Sequence, residues 1–267
     1  MTNGRRGSGP KLFGTGRIVL WRGGSISIGH AEEETGFHAH HAIQVTLALS
    51  GGPVRIRSPG EGWAAYQAAI IAANHPHAFE ARRELIALIF TEPESHEGRM
   101  LRERFRAGVA SLTPDTFAAE SAGLAAAYQA DAPDKDLILR ARAVIARLTL
   151  AQASPPKVLD NRIERAIEVL RERIGETVTM TEIAETVHLS PERFRHLFLK
   201  ETGIRFRPYV LWLRLELSLA SYAAGHNLTE ASCAGGFADS AHFSRTFKRM
   251  FGVLAVGIRV QRVRAET

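Results

Sequence analysis

The chain has 267 residues, 45% of them hydrophobic and 23% charged, with 34 Lys and Arg against 28 Asp and Glu and one Cys. This length holds two domains, each with its own core, and the composition is that of an ordinary globular protein, not of a disordered or fibrous one. One Cys excludes an internal disulfide, no apolar run is long enough to span a membrane, and the opening MTNGRRGSGPK lacks the apolar core of a signal peptide, so the expected setting is cytoplasmic.

Residues 1–16 are predicted to be a flexible tail, since the first eleven are basic, Gly-rich and almost free of apolar groups. Residues 17–93 read as short strands. Ile18, Leu20, Ile26 and Ile28 alternate with polar or small residues, and Gly pairs punctuate at 23–24 and 51–52. In AIQVTLAL, residues 42–49, Ile43, Val45, Leu47 and Leu49 share one face and Gln44, Thr46 and Ala48 the other. AAIIAA and LIALIF are further apolar runs. The expected outcome is a small antiparallel barrel or sandwich.

Residues 94–152 are rich in Ala, Leu and Arg, with breaks near Thr113-Pro114 and Asp131-Ala132-Pro133. They predict two or three helices, a connector suited to dimerisation or to closing an internal core. Ala153-Ser154-Pro155-Pro156 is a stiff linker, and 153–157 is the predicted domain boundary. In the last domain, 158–267, a helix places Ile163, Ile167 and Leu170 on one face.

Two segments there share one grammar: TMTEIAETVHLSPERFRHLFLKETG, residues 179–203, and NLTEASCAGGFADSAHFSRTFKRMFG, residues 227–252. Each has a Thr-Glu start suited to a first helical turn, a small apolar run, a break, and a basic helix with paired Phe. Phe194, Leu197 and Phe198 share a face, as do Phe243, Phe247 and Phe251. Cys233, in a small apolar run, is expected to be buried. Helix, turn and second helix with exposed basic groups is the helix-turn-helix pattern, whose second helix enters a DNA major groove. Between the two units, Tyr209 to Tyr222 predicts a long helix that fixes their separation. From Arg193 onward twelve Lys and Arg face five Asp and Glu, an excess of seven that exceeds the whole chain's +6 and favours a polyanion partner.

IAETVHLSPERFRHLFLKETG, RPYVLWLRLELSLASYAAG and GGFADSAHFSRTFKRMFG closely resemble the AraC/XylS family of bacterial transcription regulators. The family's Pro after the last Gly is replaced here at about Ala255. The resemblance implies two recognition helices in successive major grooves, ~10 bp apart. It places Glu192, Arg195 and His196 of the first helix and Ser240, Ser244 and Arg245 of the second at the bases. Arg207, Lys248 and Arg249 are candidates for phosphates.

His38, His40 and Gln44 share parity and face one way on a continuous strand. His-x-His-x3-Gln-x6-Gly, ending at Gly51, resembles the first cupin motif, with Gln44 in place of its Glu, and His77 corresponds to the third His. His38, His40 and His77 are the candidate metal set, since neutral imidazoles suit zinc, iron or nickel. With Gln44 they are also the candidate effector-binding set. His41 and His75 are expected off the cavity. Barrels of such regulators resemble cupins, generally without metal, so no cofactor is expected and a divalent metal is the lesser reading.

The sequence therefore predicts an α+β chain: an antiparallel cupin-like barrel over 17–93, a helical connector, and an all-α double helix-turn-helix domain. The expected function is a transcription regulator and not an enzyme. Its partners would be promoter double-stranded DNA, a small-molecule effector, RNA polymerase and a second copy of itself, with no membrane. The alternative is a metal-dependent cupin enzyme with a DNA-binding tail.

Overall fold

The structure is a computed structural model that describes residues 14–150 and 158–260. The proposed Ala-Ser-Pro-Pro linker and the basic start lie outside the described residues. Eight strands precede the connector: β1 (Gly14–Trp21), β2 (Gly24–Ala31), β3 (Ile43–Ala48), β4 (Val54–Arg57), β5 (Ala64–Tyr66), β6 (Ala68–Ile71), β7 (Ala78–Glu80) and β8 (Leu85–Thr91). Gly14, Thr15 and Gly16 already pair with β2, so the sheet starts before the expected boundary at residue 17.

With β9 (Val109–Ser111) and β10 (Ile258–Val260) added, the larger sheet has seven strands in the order β10-β1-β2-β8-β3-β6-β9, and a smaller one has the order β5-β4-β7. Pairings are antiparallel except at one edge. There β10 (Ile258–Val260), from the far end of the chain, runs parallel to β1. That pairing occupies backbone groups which a bare edge strand would leave unpaired. The other added strand, β9 (Val109–Ser111), pairs with β6 inside the region expected to be purely helical.

The alternation read in β3 sorts the cores. Ile43, Val45 and Leu47 point into a cluster with Leu124, Leu137 and Val144 of the connector helices. These helices are α1 (His96–Arg104), α2 (Ala118–Gln129) and α3 (Asp134–Thr149). The connector thus closes the core of the first domain. The opposite sheet face meets the smaller sheet through Ile56, Ile71 and Phe79.

The C-terminal domain contains α4 (Asn161–Glu172), α5 (Met180–Thr186), α6 (Pro191–Thr202), α7 (Phe206–Ala223), α8 (Leu228–Ala234) and α9 (Ser240–Phe251). Its two helix-turn-helix units, α5-α6 and α8-α9, repeat one set of end signals. Capping boxes start α5 at Thr179 and Glu182, and α8 at Asn227 and Glu230, two residues ahead of the Thr-Glu pairs. Ser190 and Asp239 cap α6 and α9, and both helices stop at a left-handed Gly, Gly203 and Gly252. Phe194, Phe198, Phe243 and Phe247 are buried in one core with Leu213 of α7. Cys233 is exposed, against expectation, because the seven-residue α8 turns Ala231 and Ser232 inward instead.

Helices α7 and α8 cross closely because Gly235 has no side chain. A Cβ there would lie 2.0 Å from Ser218 Oγ and 2.6 Å from Arg214 O. Gly235→Ala is expected to destabilise the full chain by about 1–3 kcal/mol through overpacking. Adding Ser218→Ala should restore part of it, since the Arg214 carbonyl clash stays. Denaturant unfolding of the three proteins measures both effects, and a neutral Gly235→Ala would refute the close crossing.

Candidate functional site

Both second helices of the helix-turn-helix units are amphipathic, and the predicted DNA-facing residues fall on their outer faces. On α6, Glu192, Arg195 and His196 are exposed while Phe194 and Phe198 are buried. Glu192 accepts from Arg195 Nη2 at 2.6 Å and from His196 Nε2 at 2.8 Å. Those bonds, Arg195's first, hold the Glu192 carboxyl below its usual range. This exposed triad presents Arg195 in place but adds little stability. On α9, Ser240, Arg245, Lys248 and Arg249 are exposed and Ser244 is half-buried. Arg207, in the first turn of α7, is exposed as well. No ion pair ties down Arg245, Lys248 or Arg249 among those the described residues form.

The inner end of α9 faces elsewhere. Phe247 and Phe251, with Trp212 and Leu215 of α7, form one wall of a cavity of about 90 Å³. The sheet domain supplies the other wall, including Leu20, Leu88 and Phe90, and the polar residues Thr35, His38, Gln44 and His77. Among the described residues no Lys or Arg lines it, and the carboxyl in its lining belongs to Glu216. The Gly36 N–H donates to Gly252 O at 3.0 Å, so the last turn of α9 is bonded to the loop that carries His38.

The predicted histidine set converges, though not on a continuous strand. Strand β3 starts only at Ile43, and His38 is placed by an isolated antiparallel bridge to His77. That bridge has backbone bonds of 3.0 and 2.9 Å. Gln44 and Thr46 follow on the cavity face of β3, with the Gln44 carboxamide 2.9 Å from His40 Nε2. Burial lowers the pKa of His40 to about 4 and of His77 to about 2, so both rings are neutral. His75 lies apart, its Nε2 3.1 Å from the Ser58 hydroxyl.

His41 turns the other way and belongs to a group that the sequence did not reveal. Its Nε2–H donates to Glu94 at 2.7 Å, and its ring lies edge-on to Tyr209 of α7, with centroids 5.3 Å apart. Burial pushes Glu94 up, but the adjacent His41 outweighs it and holds the carboxyl below its usual range. Beside it, Arg171 of α4 pairs with Glu92 and lies 3.6 Å from Glu216 of α7. Glu216 did carry a signal: it is the one acid within LWLRLELSLA, on the face of Trp212 and Leu219, at i+4 and i−3. Glu92 and Glu94 sit after an apolar strand and announce nothing.

Burial, and then the neighbouring Glu92 carboxylate, push Glu216 well above the usual carboxylate range. The folded chain thus keeps a proton that the unfolded chain gives up. This contribution is complete below the ordinary carboxylate pKa and is lost as pH rises through the raised value. The melting temperature should fall as pH is raised from weakly acidic to about 9, below the normal Tyr pKa, and Glu216→Gln should flatten that fall. Arg171, Glu92, Glu94 and Tyr209 face the same spot and are unchanged in both proteins. Equal slopes for wild type and variant would refute a protonated Glu216.

Residues 183–259 match the family model described as a helix-turn-helix domain. The uncharacterized HTH-type transcriptional regulator YidL of Escherichia coli is 34% identical over 92 residues, 34% of this chain and 31% of YidL. The Msm operon regulatory protein of Streptococcus mutans is 28% identical over 102 residues, 37% of this chain and 35% of that protein. The chain thus matches about a third of the length of these relatives. Across both domains it resembles ToxT of Vibrio cholerae in fold, with a TM-score of 0.55 at 12% identity, over 87% of this chain and 96% of ToxT. ToxT with a bound unsaturated fatty acid gives a TM-score of 0.53 at 11% identity, over 89% and 93% of the two chains. Among the described residues no helix is long and apolar enough to cross a membrane. The C-terminal domain of this chain is therefore an AraC-type helix-turn-helix domain, carried behind a sheet domain in a ToxT-like fold.

Proposed function

We propose that the chain is a sequence-specific DNA-binding transcription regulator whose DNA affinity is set by a small, mainly apolar effector bound between its domains. One observation carries this reading: α9 puts Phe247 and Phe251 into the cavity wall and Arg245 and Lys248 into solvent. Whatever fills the cavity presses on the helix that would read DNA. The bound unsaturated fatty acid of ToxT supports an apolar ligand class. A ligand in the cavity touches the wall that α9 supplies, and a movement of α9 is what coupling to DNA requires.

In this reading Arg195 and Arg245 reach guanine edges, with Glu192, His196, Ser240 and Ser244 beside them. Arg207, Lys248 and Arg249 hold phosphates. The two units address blocks about one turn, ~10 bp, apart. The protein acts at a promoter in the cytoplasm, with RNA polymerase and a second copy of the chain as further partners, and it is not an enzyme.

Selection of genomic fragments on the purified protein is expected to return sites with two such blocks. On a selected site, Arg245→Ala should weaken binding by about 1–3 kcal/mol and relax preference at one base pair. Lys248→Ala should weaken binding to all sequences alike and lower the salt slope by about 1. Anisotropy titrations over a salt series check both. Uniform, purely salt-dependent binding that ignores Arg245→Ala would overturn the regulator reading.

A further inference from the structure

The three histidines at the sheet-domain end of the cavity have a use that the regulator reading does not absorb. His38, His40 and His77 are all buried, and their candidate ligand atoms lie within 4.8 Å of one another. Each ring is fixed in the same way. Nδ1–H of His38 donates to Gly36 O, that of His40 to Ala42 O, and that of His77 to His75 O, each at 2.9 Å. A carbonyl oxygen only accepts, so these bonds place the proton on Nδ1 and leave Nε2 with a bare lone pair in His38 and His77, and in His40 once the Gln44 carboxamide, whose oxygen lies 2.9 Å from Nε2, turns its amide end toward the ring. A backbone carbonyl that fixes the tautomer and aims Nε2 is the usual outer support of a metal-binding imidazole.

The bare nitrogens are poorly served as they stand. His77 is fully buried, and its Nε2 has no hydrogen-bond partner among the described residues. A buried lone pair without a donor is disfavoured and calls for an explanation. His40 Nε2 lies 2.9 Å from the Gln44 carboxamide, which also meets the Thr46 hydroxyl at 2.9 Å and can turn either end toward its neighbours. Three bare imidazole nitrogens brought together in this way cannot hydrogen-bond to one another, since none of them carries a proton to share.

We infer that His38, His40 and His77 bind one divalent transition-metal ion of the zinc class through their Nε2 atoms, with a fourth position open to the interdomain cavity. Three imidazoles suit zinc and its neighbours, whereas magnesium and calcium need an oxygen cage that is not here. Tetrahedral zinc requires nitrogens about 3.3 Å apart for bonds of ~2.0 Å. Side-chain rotation closes the remaining gap, while the His38–His77 bridge holds two of the three backbones. His38 and His77 line the cavity, and with them Gln44 stands at its polar end. The open position would give the cavity a cationic anchor, where no Lys or Arg among the described residues lines it. This site does not depend on the regulator reading, since the metal would bind with or without DNA.

The test uses the full chain stripped by a chelator and titrated with Co²⁺, then Zn²⁺. We expect uptake of one ion per chain, visible ligand-field bands for Co²⁺, and their loss on adding Zn²⁺. X-ray absorption of the zinc form should show three imidazoles and no sulfur, which excludes the exposed Cys233. His77→Ala and, separately, His38→Gln should each weaken uptake by ~100-fold or more, beyond what loss of an outer support gives, with unchanged circular dichroism. If a variant fails to fold, the wild-type absorption spectrum decides alone. Fewer than three imidazoles, a sulfur ligand, no stoichiometric uptake, or uptake untouched by both substitutions would overturn the proposal.

Discussion

The seat between the two domains is the constraint on which the cavity, the histidine set and the placement of α9 depend. Its centre is polar. Arg171 of α4 bridges Glu92 of the sheet domain and Glu216 of α7, and His41 pairs with Glu94 beside Tyr209. Such a group contributes little net stability compared with apolar packing, yet loss of one member leaves a stranded charge at about 3–5 kcal/mol. The seat therefore sets orientation more than strength. Around it, apolar contacts and backbone bonds finish the joint: Phe90 against Phe251, the Gly36–Gly252 bond, and β10 along β1.

This arrangement gives α9 two loads. Its outer face carries the free cations, and its inner end closes a cavity against the sheet. Glycine is needed where the two meet. Gly252 ends the helix at φ 73°, and a Cβ there would lie 2.4 Å from Gly36 O and 2.6 Å from His38 Nδ1. The terminus of the second recognition helix is thus packed directly on a ring of the histidine cluster. The cluster and the end of α9 are therefore in direct contact.

Much of this was legible in the sequence because it is local. Capping residues, Phe pairs at i and i+4 and left-handed Gly stops each act within a dozen residues, so both helix-turn-helix units read off the chain. Alternation in β3 likewise placed Gln44 and Thr46 opposite Ile43, Val45 and Leu47. His38 and His40 do come together with His77, although the spacing rule assumed a strand that the chain does not form there. What escaped was non-local. Glu92 and Glu94 look like an ordinary strand end until α4 and α7 pack over them. Edge strands β9 and β10 are three residues each, too short for any period to register. The same limit misplaced Cys233, since one helix of seven residues has no clear inside in sequence.

The polar seat also bears on how the protein changes state. Opening an apolar joint exposes surface that water disfavours, and the cost grows with area. Opening this one returns Arg171, Glu92 and Glu94 to water and lets Glu216 ionise, so hydration offsets part of the lost contacts. The closed and parted arrangements are thereby brought closer in free energy than the buried area alone implies. A ligand then needs only a modest preference for one of them: ~5.5 kcal/mol of differential affinity carries a population from 1:99 to 99:1, and less suffices when the two start closer. An apolar ligand that makes its full contacts only when the two walls have separated would have that preference built in.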